Sequence, residues 1–132
     1  MEFTLKTSIK ATSVQIYRTW LNSTGHTEMT GGVAKITDKI GGKFTAWDGY
    51  IEGKNLALEP YGRILQSWRT TEFDETDEDS VVELLMEEVD GQTELTLIHT
   101  NLPENGAQYI EGWENYYFEP MKSYFSSIHS NF

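Results

Sequence analysis

The chain has 132 residues without cysteine, and its 10 Lys and Arg against 21 Asp and Glu give a formal charge of −11. A chain of this length is expected to be a single domain, residues 1–132, with enough buried surface for a hydrophobic core. The acidic balance argues against nucleic acid and anionic membranes as partners, and the lack of cysteine excludes disulfides, thiolate nucleophiles and cysteine-ligated zinc.

The first quarter of the chain predicts a strand followed by short helices. Residues 2–9 alternate between apolar and polar side chains, the pattern of a half-buried strand. Apolar residues spaced by three and four then indicate an amphipathic helix over residues 13–22. Residues 23–32 are expected to form a loop or short helical turns, with His26 at the surface.

The middle of the chain predicts a meander of antiparallel strands joined by tight turns. Asp48–Gly49 and Asp90–Gly91 each separate two extended segments, which is a strong hairpin signal. Gly53 interrupts its strand and therefore suggests a bulge. The expected extended segments cover residues 34–38, 44–46, 50–58, 63–71, 80–89 and 93–100.

The last 26 residues predict a long helix with an aromatic stripe at spacings of three, four and seven. Pro120 lies inside this helix, and a kink is expected near residues 116–117. A sheet with one apolar face must be covered, and this helix is the only element large enough to cover it. The expected class is α+β, a curved antiparallel sheet of about six to seven strands wrapped around the long C-terminal helix.

Four separated segments of the chain carry a resemblance to a known family. They read GGKFTAWDGYIEGKNLALEP (41–60), RILQSWRTTEF (63–73), TELTLIHTNLP (93–103) and GWENYYFEPMKSYF (112–125). In this order they resemble the activators of the heat-shock protein 90 ATPase, in particular the C-terminal domain of the eukaryotic activator and its single-domain relatives. The resemblance runs from about residue 10 to residue 127 and implies a START-like, helix-grip fold.

The same resemblance implies a function in binding rather than catalysis. It suggests a co-chaperone or stress-related regulator that docks on a chaperone and alters its ATPase. The eukaryotic activator has a further N-terminal domain that does much of the chaperone binding, and this chain is expected to be too short to contain it. The wider superfamily includes lipid binders, hormone carriers, cyclases and hydrolases, so fold alone does not select a function.

A cavity between the sheet and the C-terminal helix is the main candidate binding site. Its expected lining is apolar, with Gln66 and His99 as polar handles for a small apolar or aromatic ligand. The alternative is that these residues fill one another's space as core. The expected lining residues are Phe44, Ile64, Gln66, Trp68, Val82, Leu84, Met86, Leu95, Leu97, His99, Trp113, Tyr117, Met121 and Tyr124.

His99 also carries the one enzymatic hypothesis. It points inward in phase with two leucines, so burial would lower its pKa and suit it to acid or base catalysis in a cyclase or hydrolase. The alternative is a hydrogen-bonded buried side chain near a strand end, and no second catalytic group is forced beside it. His26, His99 and His129 show no metal-ligand spacing, and His129 is expected at the surface.

Charged residues are expected to play no catalytic part. The acidic run over residues 72–79 contains six carboxylates between two strands, which predicts a solvated loop of a long hairpin or a weak contact with a cation or basic partner. Arg63 and Arg69 are expected to pair with neighbouring carboxylates, with a small basic spot as the alternative.

The sequence therefore favours a non-enzymatic binding protein with no cofactor and no metal. The two partner classes are a chaperone and a small apolar or aromatic ligand held by the sheet–helix cavity. No apolar run is long enough to span a membrane and none resembles a secretory signal, which predicts a cytoplasmic protein without membrane insertion. The protein is also expected to be a monomer.

Overall fold

The computed structural model of the protein describes the backbone of residues 1–130 and the side chains of residues 1–128. Within these residues, six antiparallel strands form one sheet in the order β1-β6-β5-β4-β3-β2. The α+β class and the sheet that packs against a C-terminal helix are confirmed. The strands are β1 (Phe3–Ile9), β2 (Lys43–Ala46), β3 (Ile51–Glu59), β4 (Arg63–Thr70), β5 (Ser80–Val89) and β6 (Gln92–Thr100).

The N-terminal helices begin with side-chain caps. Helix α1 (Ser13–Trp20) is capped by Thr12, whose hydroxyl accepts a hydrogen bond from the backbone N–H of Gln15. Helix α2 (Ser23–Thr30) is capped in the same way by Asn22 and occupies the segment expected as a loop or helical turns. The expectation that His26 lies at the surface was wrong, because only 2 % of its surface is exposed.

The two predicted hairpins are confirmed. Asp48 and Gly49 have φ values of 58° and 86°, and Asp90 and Gly91 have 54° and 78°. Asp90 and Gly91 form a two-residue turn between the paired Val89 and Gln92, and two successive positive φ values match the twist of the flanking strands. The β2–β3 turn is longer, because Ala46 pairs with Ile51 and Trp47 also has a positive φ. The segment expected to be extended before β2 forms no strand; its one ladder contact is an isolated bridge between Lys35 and Thr45.

The bulge in β3 lies three residues after the expected position. The register against β4 shifts between Asn55 and Ala57, so Leu56 is the extra residue. Gly53 has a different role, because a Cβ there would lie 1.8 Å from the carbonyl oxygen of Ser67. The glycine is required because the backbones approach too closely for any side chain.

The C-terminal helical segment contains an irregular turn where a kink was expected. Helix α3 (Gln108–Trp113) leads into a π-helical turn (Glu114–Phe118), which leads into helix α4 (Glu119–Ser130). The backbone N–H of Glu119 donates to the carbonyl of Glu114, five residues earlier. Pro120 follows directly and has no N–H to donate. No helix in the described part of the chain is long and apolar enough to cross a membrane.

Candidate functional site

An open aromatic pocket of about 550 Å³ lies between the β2–β3 hairpin and the C-terminal helical segment. Seven of its twelve lining residues are aromatic. The hairpin and β4 supply one side, while α3 and the π turn supply the other. The lining residues are Trp47, Tyr50, Ile51, Trp68, Gln108, Tyr109, Glu111, Gly112, Trp113, Asn115, Tyr116 and Tyr117.

Trp47 connects the outer wall of the pocket to the π turn. It has a φ of 50° in the hairpin turn, and its ring meets that of Tyr116 edge-on at 5.6 Å between centroids. A Cβ on Gly32 would lie 2.4 Å from the Trp47 ring, so the glycine makes room for the indole. The indole N–H of Trp47 is buried and has no hydrogen-bond partner in the described part of the chain. Such orphan donors are rare in folded proteins.

The inner wall is a continuous set of touching rings. Trp68 of β4 meets Tyr109 edge-on at 5.1 Å and lies 5.6 Å from Trp113. Trp113 in turn lies 4.7 Å from Tyr117. Because each ring contacts the next, the packing of the rings fixes α3, the π turn and β4 relative to one another in this wall.

Three tyrosine hydroxyls of the pocket are held by protein partners. Tyr50 donates to the carboxylate of Glu72, the hydroxyls of Tyr109 and Thr70 lie 2.6 Å apart, and Tyr117 donates to His26. Burial and the Glu72 carboxylate raise the pKa of Tyr50, and burial alone raises the pKa of Tyr117. These phenols therefore remain neutral donors near neutral pH.

His99 lies behind the pocket wall and is saturated by hydrogen bonds. The indole N–H of Trp113 donates to its Nδ1 at 3.0 Å, so that nitrogen carries no proton. The Ser80 hydroxyl donates to the carbonyl of Trp68 and therefore accepts from Nε2–H of His99 at 2.8 Å. Burial lowers the pKa of His99 to about 3. This neutral imidazole has no free nitrogen for acid or base catalysis. These contacts agree with the alternative expectation that His99 is a hydrogen-bonded buried side chain.

Gln66, the second expected polar handle, is also used internally. Its Oε1 accepts from the Trp20 indole at 3.3 Å, and its Nε2 donates to Asn55 at 2.9 Å. The Asn55 amide continues the chain by donating to the carbonyls of Thr37 and Lys39 at 2.6 and 3.1 Å. This buried network joins α1, the sheet and the loop before β2.

Of the fourteen residues expected to line a ligand cavity, three line the observed pocket: Trp68, Trp113 and Tyr117. Tyr124 is half-buried on α4. The others pack as core away from the pocket; they are Phe44, Ile64, Gln66, Val82, Leu84, Met86, Leu95, Leu97, His99 and Met121.

Sequence reasoning missed the residues at the rim of the pocket. Trp47 and Tyr50 flank the Asp48–Gly49 turn, where alternation no longer indicates which way a side chain points. Tyr109 was detectable, because it precedes Trp113 by four residues and extends the aromatic stripe. Tyr116 is 60 % exposed and carries no periodicity signal.

The charged residues form solvated pairs, as expected. Arg63 pairs with Glu59 and Glu83 on the outer face of the sheet. Arg69 pairs with Asp79 at 2.9 Å and also donates to two backbone carbonyls of the acidic loop. No group of three or more carboxylates and histidines within the described residues is arranged to hold a metal.

Comparison with known proteins identifies the family. Residues 10–126 match the sequence profile described as "Activator of Hsp90 ATPase homolog 1-like protein". The chain is 27 % identical to human "Activator of 90 kDa heat shock protein ATPase homolog 1" over 94 % of its own length. It is 26 % identical to the corresponding homolog from Dictyostelium discoideum over 92 % of its length. The chain spans 37 % and 32 % of these curated relatives.

The fold has close counterparts among solved structures. An Hsp90 activator from Plasmodium falciparum superimposes with a TM-score of 0.86 at 21 % identity, covering 96 % of both chains. The Aha1 dimer from Colwellia psychrerythraea gives a TM-score of 0.79 at 16 % identity over 95 % of this chain. The START-like, helix-grip fold expected from the sequence is thereby confirmed. With a profile match over 10–126, the chain belongs to the Activator of Hsp90 ATPase homolog 1-like family.

Proposed function

We propose that this protein is a co-chaperone that binds a 90-kDa heat-shock chaperone and alters its ATPase rate, without catalysing a reaction of its own. The observation that carries the proposal is the family match over residues 10–126, which includes both walls of the aromatic pocket and the whole sheet from β2 onward. In this role the protein acts in the cytoplasm as part of a stress response.

The surface charge supports docking on a basic partner. The chain carries a net charge of −11, and residues 72–79 place six carboxylates on one exposed loop. Arg69 holds this loop in a defined shape by pairing with Asp79 and donating to the carbonyls of Asp74 and Asp77. A pre-shaped acidic surface accelerates association with a basic patch and makes the association salt-dependent.

The test measures the ATPase rate of a purified 90-kDa chaperone with and without this chain. We expect a saturable change in rate that weakens as salt is added, because exposed charges are screened. Glu75→Lys, in the acidic loop, is expected to weaken the effect, whereas Glu104→Lys, exposed outside that loop, serves as the matched charge control. If the chain neither changes the ATPase rate nor binds the chaperone in calorimetry, the proposal is contradicted.

A second candidate function is the binding of a small ligand in the aromatic pocket. One observation favours it: the open cavity of about 550 Å³ is in the size range of small-molecule sites and is lined mainly by aromatic side chains.

Indole N–H resonances offer a direct readout of ligand binding. The chain has four tryptophans. Trp47, Trp68 and Trp113 line the pocket, whereas Trp20 donates to Gln66 and lies outside the lining. A ligand in the pocket is expected to shift the first three resonances and to leave Trp20 in place. A library screen in which the pocket resonances never move would remove this second function.

A further inference from the structure

We propose that the ligand of the aromatic pocket is a small organic cation that carries a quaternary or fully substituted ammonium group. This inference rests on the second candidate function above and names the chemical class that the pocket would take. Two independent features of the pocket lead to it: the aromatic lining and the sign of the charges.

Aromatic rings supply most of the pocket lining. Trp68 and Tyr109 meet edge-on in the inner wall, and Trp47 and Tyr116 meet edge-on at the outer wall. The face of an aromatic ring carries the negative part of its quadrupole, so several rings around one volume attract a cation. Recognition of quaternary ammonium groups uses such aromatic enclosures.

The charges around the pocket point to the same sign of ligand. Among the described residues that line it, Glu111 is the one with a formal charge, and neither Lys nor Arg contributes to the lining. Glu72 accepts from the Tyr50 hydroxyl and adds a carboxylate behind that wall. Arg69 borders a smaller adjoining cavity, but its guanidinium already pairs with Asp79. A carboxylate ligand would meet the carboxylates of Glu111 and Glu72 and no Lys or Arg of the lining.

The volume of about 550 Å³ leaves room for an aromatic group beside the ammonium group. A benzoyl ester is therefore a suitable probe.

The decisive experiment compares two isosteric probes by the indole resonances. Benzoylcholine carries the ammonium group, and 3,3-dimethylbutyl benzoate replaces its nitrogen by carbon at nearly constant shape. We expect benzoylcholine to shift the Trp47, Trp68 and Trp113 signals and to bind about tenfold more tightly than the neutral ester. Equal binding of the two probes would overturn the cation assignment and leave the ligand-binding function standing. If neither probe moves these signals, both the cation assignment and this pocket's role for such ligands fail.

Charge variants separate local attraction from the general acidity of the chain. Glu111→Gln is expected to weaken benzoylcholine binding about threefold, because it removes the pocket carboxylate. Glu114→Gln, which changes the net charge equally on the exposed side of the π turn and outside the lining, is expected to leave binding unchanged. Equal losses in the two variants would show that only net charge matters and would overturn the site.

Phosphocholine distinguishes a lipid headgroup from a free organic cation. It presents the same ammonium group beside a phosphate, which the carboxylates around the pocket would repel. We expect it to bind more weakly than benzoylcholine. Tighter binding of phosphocholine would overturn the assignment of a free organic cation.

Discussion

The hydroxyl of Tyr117 donates a hydrogen bond to Nε2 of His26 at 2.9 Å, although 91 positions separate the two residues in the chain. Nδ1 of His26 donates to the carbonyl of Trp20 at 2.9 Å, which leaves Nε2 as the acceptor. The ring of Tyr117 also meets the His26 ring edge-on at 5.6 Å. This pair ties α2 to the π turn and so fixes the wall of the aromatic pocket from behind.

Removal of the Tyr117 hydroxyl is expected to destabilise the fold. Tyr117→Phe keeps the ring but leaves Nε2 of His26 buried without a donor, which should lower the free energy of unfolding by about 1–3 kcal/mol. Urea denaturation measures the loss. Tyr116→Phe is the matched control, because that side chain is 60 % exposed; its effect should stay within about 0.5 kcal/mol. Equal stability of the two variants would contradict the role assigned to the hydrogen bond.

Acidification is expected to destabilise the protein through its buried histidines. Burial lowers the pKa of His99 to about 3 from an ordinary value of 6.5, and it also lowers the pKa of His26. At a pH between the folded and the unfolded pKa of a histidine, that side chain binds a proton in the unfolded chain but not in the folded chain. The free energy of unfolding should therefore fall as pH drops below about 6.5, by at most about 1.4 kcal/mol per pH unit for each histidine.

Two measurements check this pH dependence. Urea denaturation at several pH values gives the slope of stability, and the ring C–H resonances of His99 in the folded protein report its protonation directly. We expect these resonances to remain unshifted from neutral pH down to about pH 5. A His99 resonance that titrates near its ordinary pKa would show that the imidazole is accessible to protons and would contradict the saturated hydrogen bonding.

Alanine substitutions at Gly53 and Gly112 are expected to change the stability of the fold in opposite directions. Gly53→Ala would force a Cβ to within 1.8 Å of the Ser67 carbonyl, so we expect a loss of about 3 kcal/mol or failure to fold. Gly112→Ala meets open space inside α3 and should raise stability by about 0.5–1 kcal/mol. Thermal and urea denaturation of the two variants test the pair. A tolerated Gly53→Ala would mean that β3 and β4 lie farther apart.

The buried amide of Asn55 is expected to hold the loop before β2. Asn55→Ala removes the donor to two loop carbonyls and the acceptor for Gln66, at a cost of about 2 kcal/mol. Amide hydrogen exchange should become faster in residues 37–42, since Gly41 N–H also bonds to the Asn55 carbonyl. Leu56→Ala, at the exposed bulge next to it, is the control. Unchanged exchange in the loop would show that the backbone bonds alone hold it.

The strand meander could be predicted because its signals are local. In β4 the alternation of Ile64, Gln66 and Trp68 points all three inward, and the structure buries all three. Asp48–Gly49 and Asp90–Gly91 determine their turns through their own backbone preferences. Alternation within a strand and turn chemistry require no knowledge of distant residues, which is why these elements were recovered.

The buried polar network and the pocket could not be predicted in this way. His26 lies in the segment STGHTEMT, which has little amphipathic character, and its burial depends on Tyr117 far along the chain. The pocket depends on how the Trp47 turn leans towards the π turn, a tertiary relationship that no local pattern encodes. For the same reason the sequence left open whether Gln66 and His99 serve a ligand or pair internally; their hydrogen bonds to Trp20 and Trp113 join residues far apart in the chain.

The π turn also explains the phase of the aromatic stripe. Tyr109, Trp113, Tyr117, Met121 and Phe125 are all buried, and they repeat at intervals of four. In a regular α-helix a four-residue repeat drifts by about 40° at each step, so the ends of the stripe would face different directions. Because the π turn winds more slowly than an α-helix, it cancels part of this drift. An unbroken interval of four across a single long helix is thus a sequence signature of a wider turn within it.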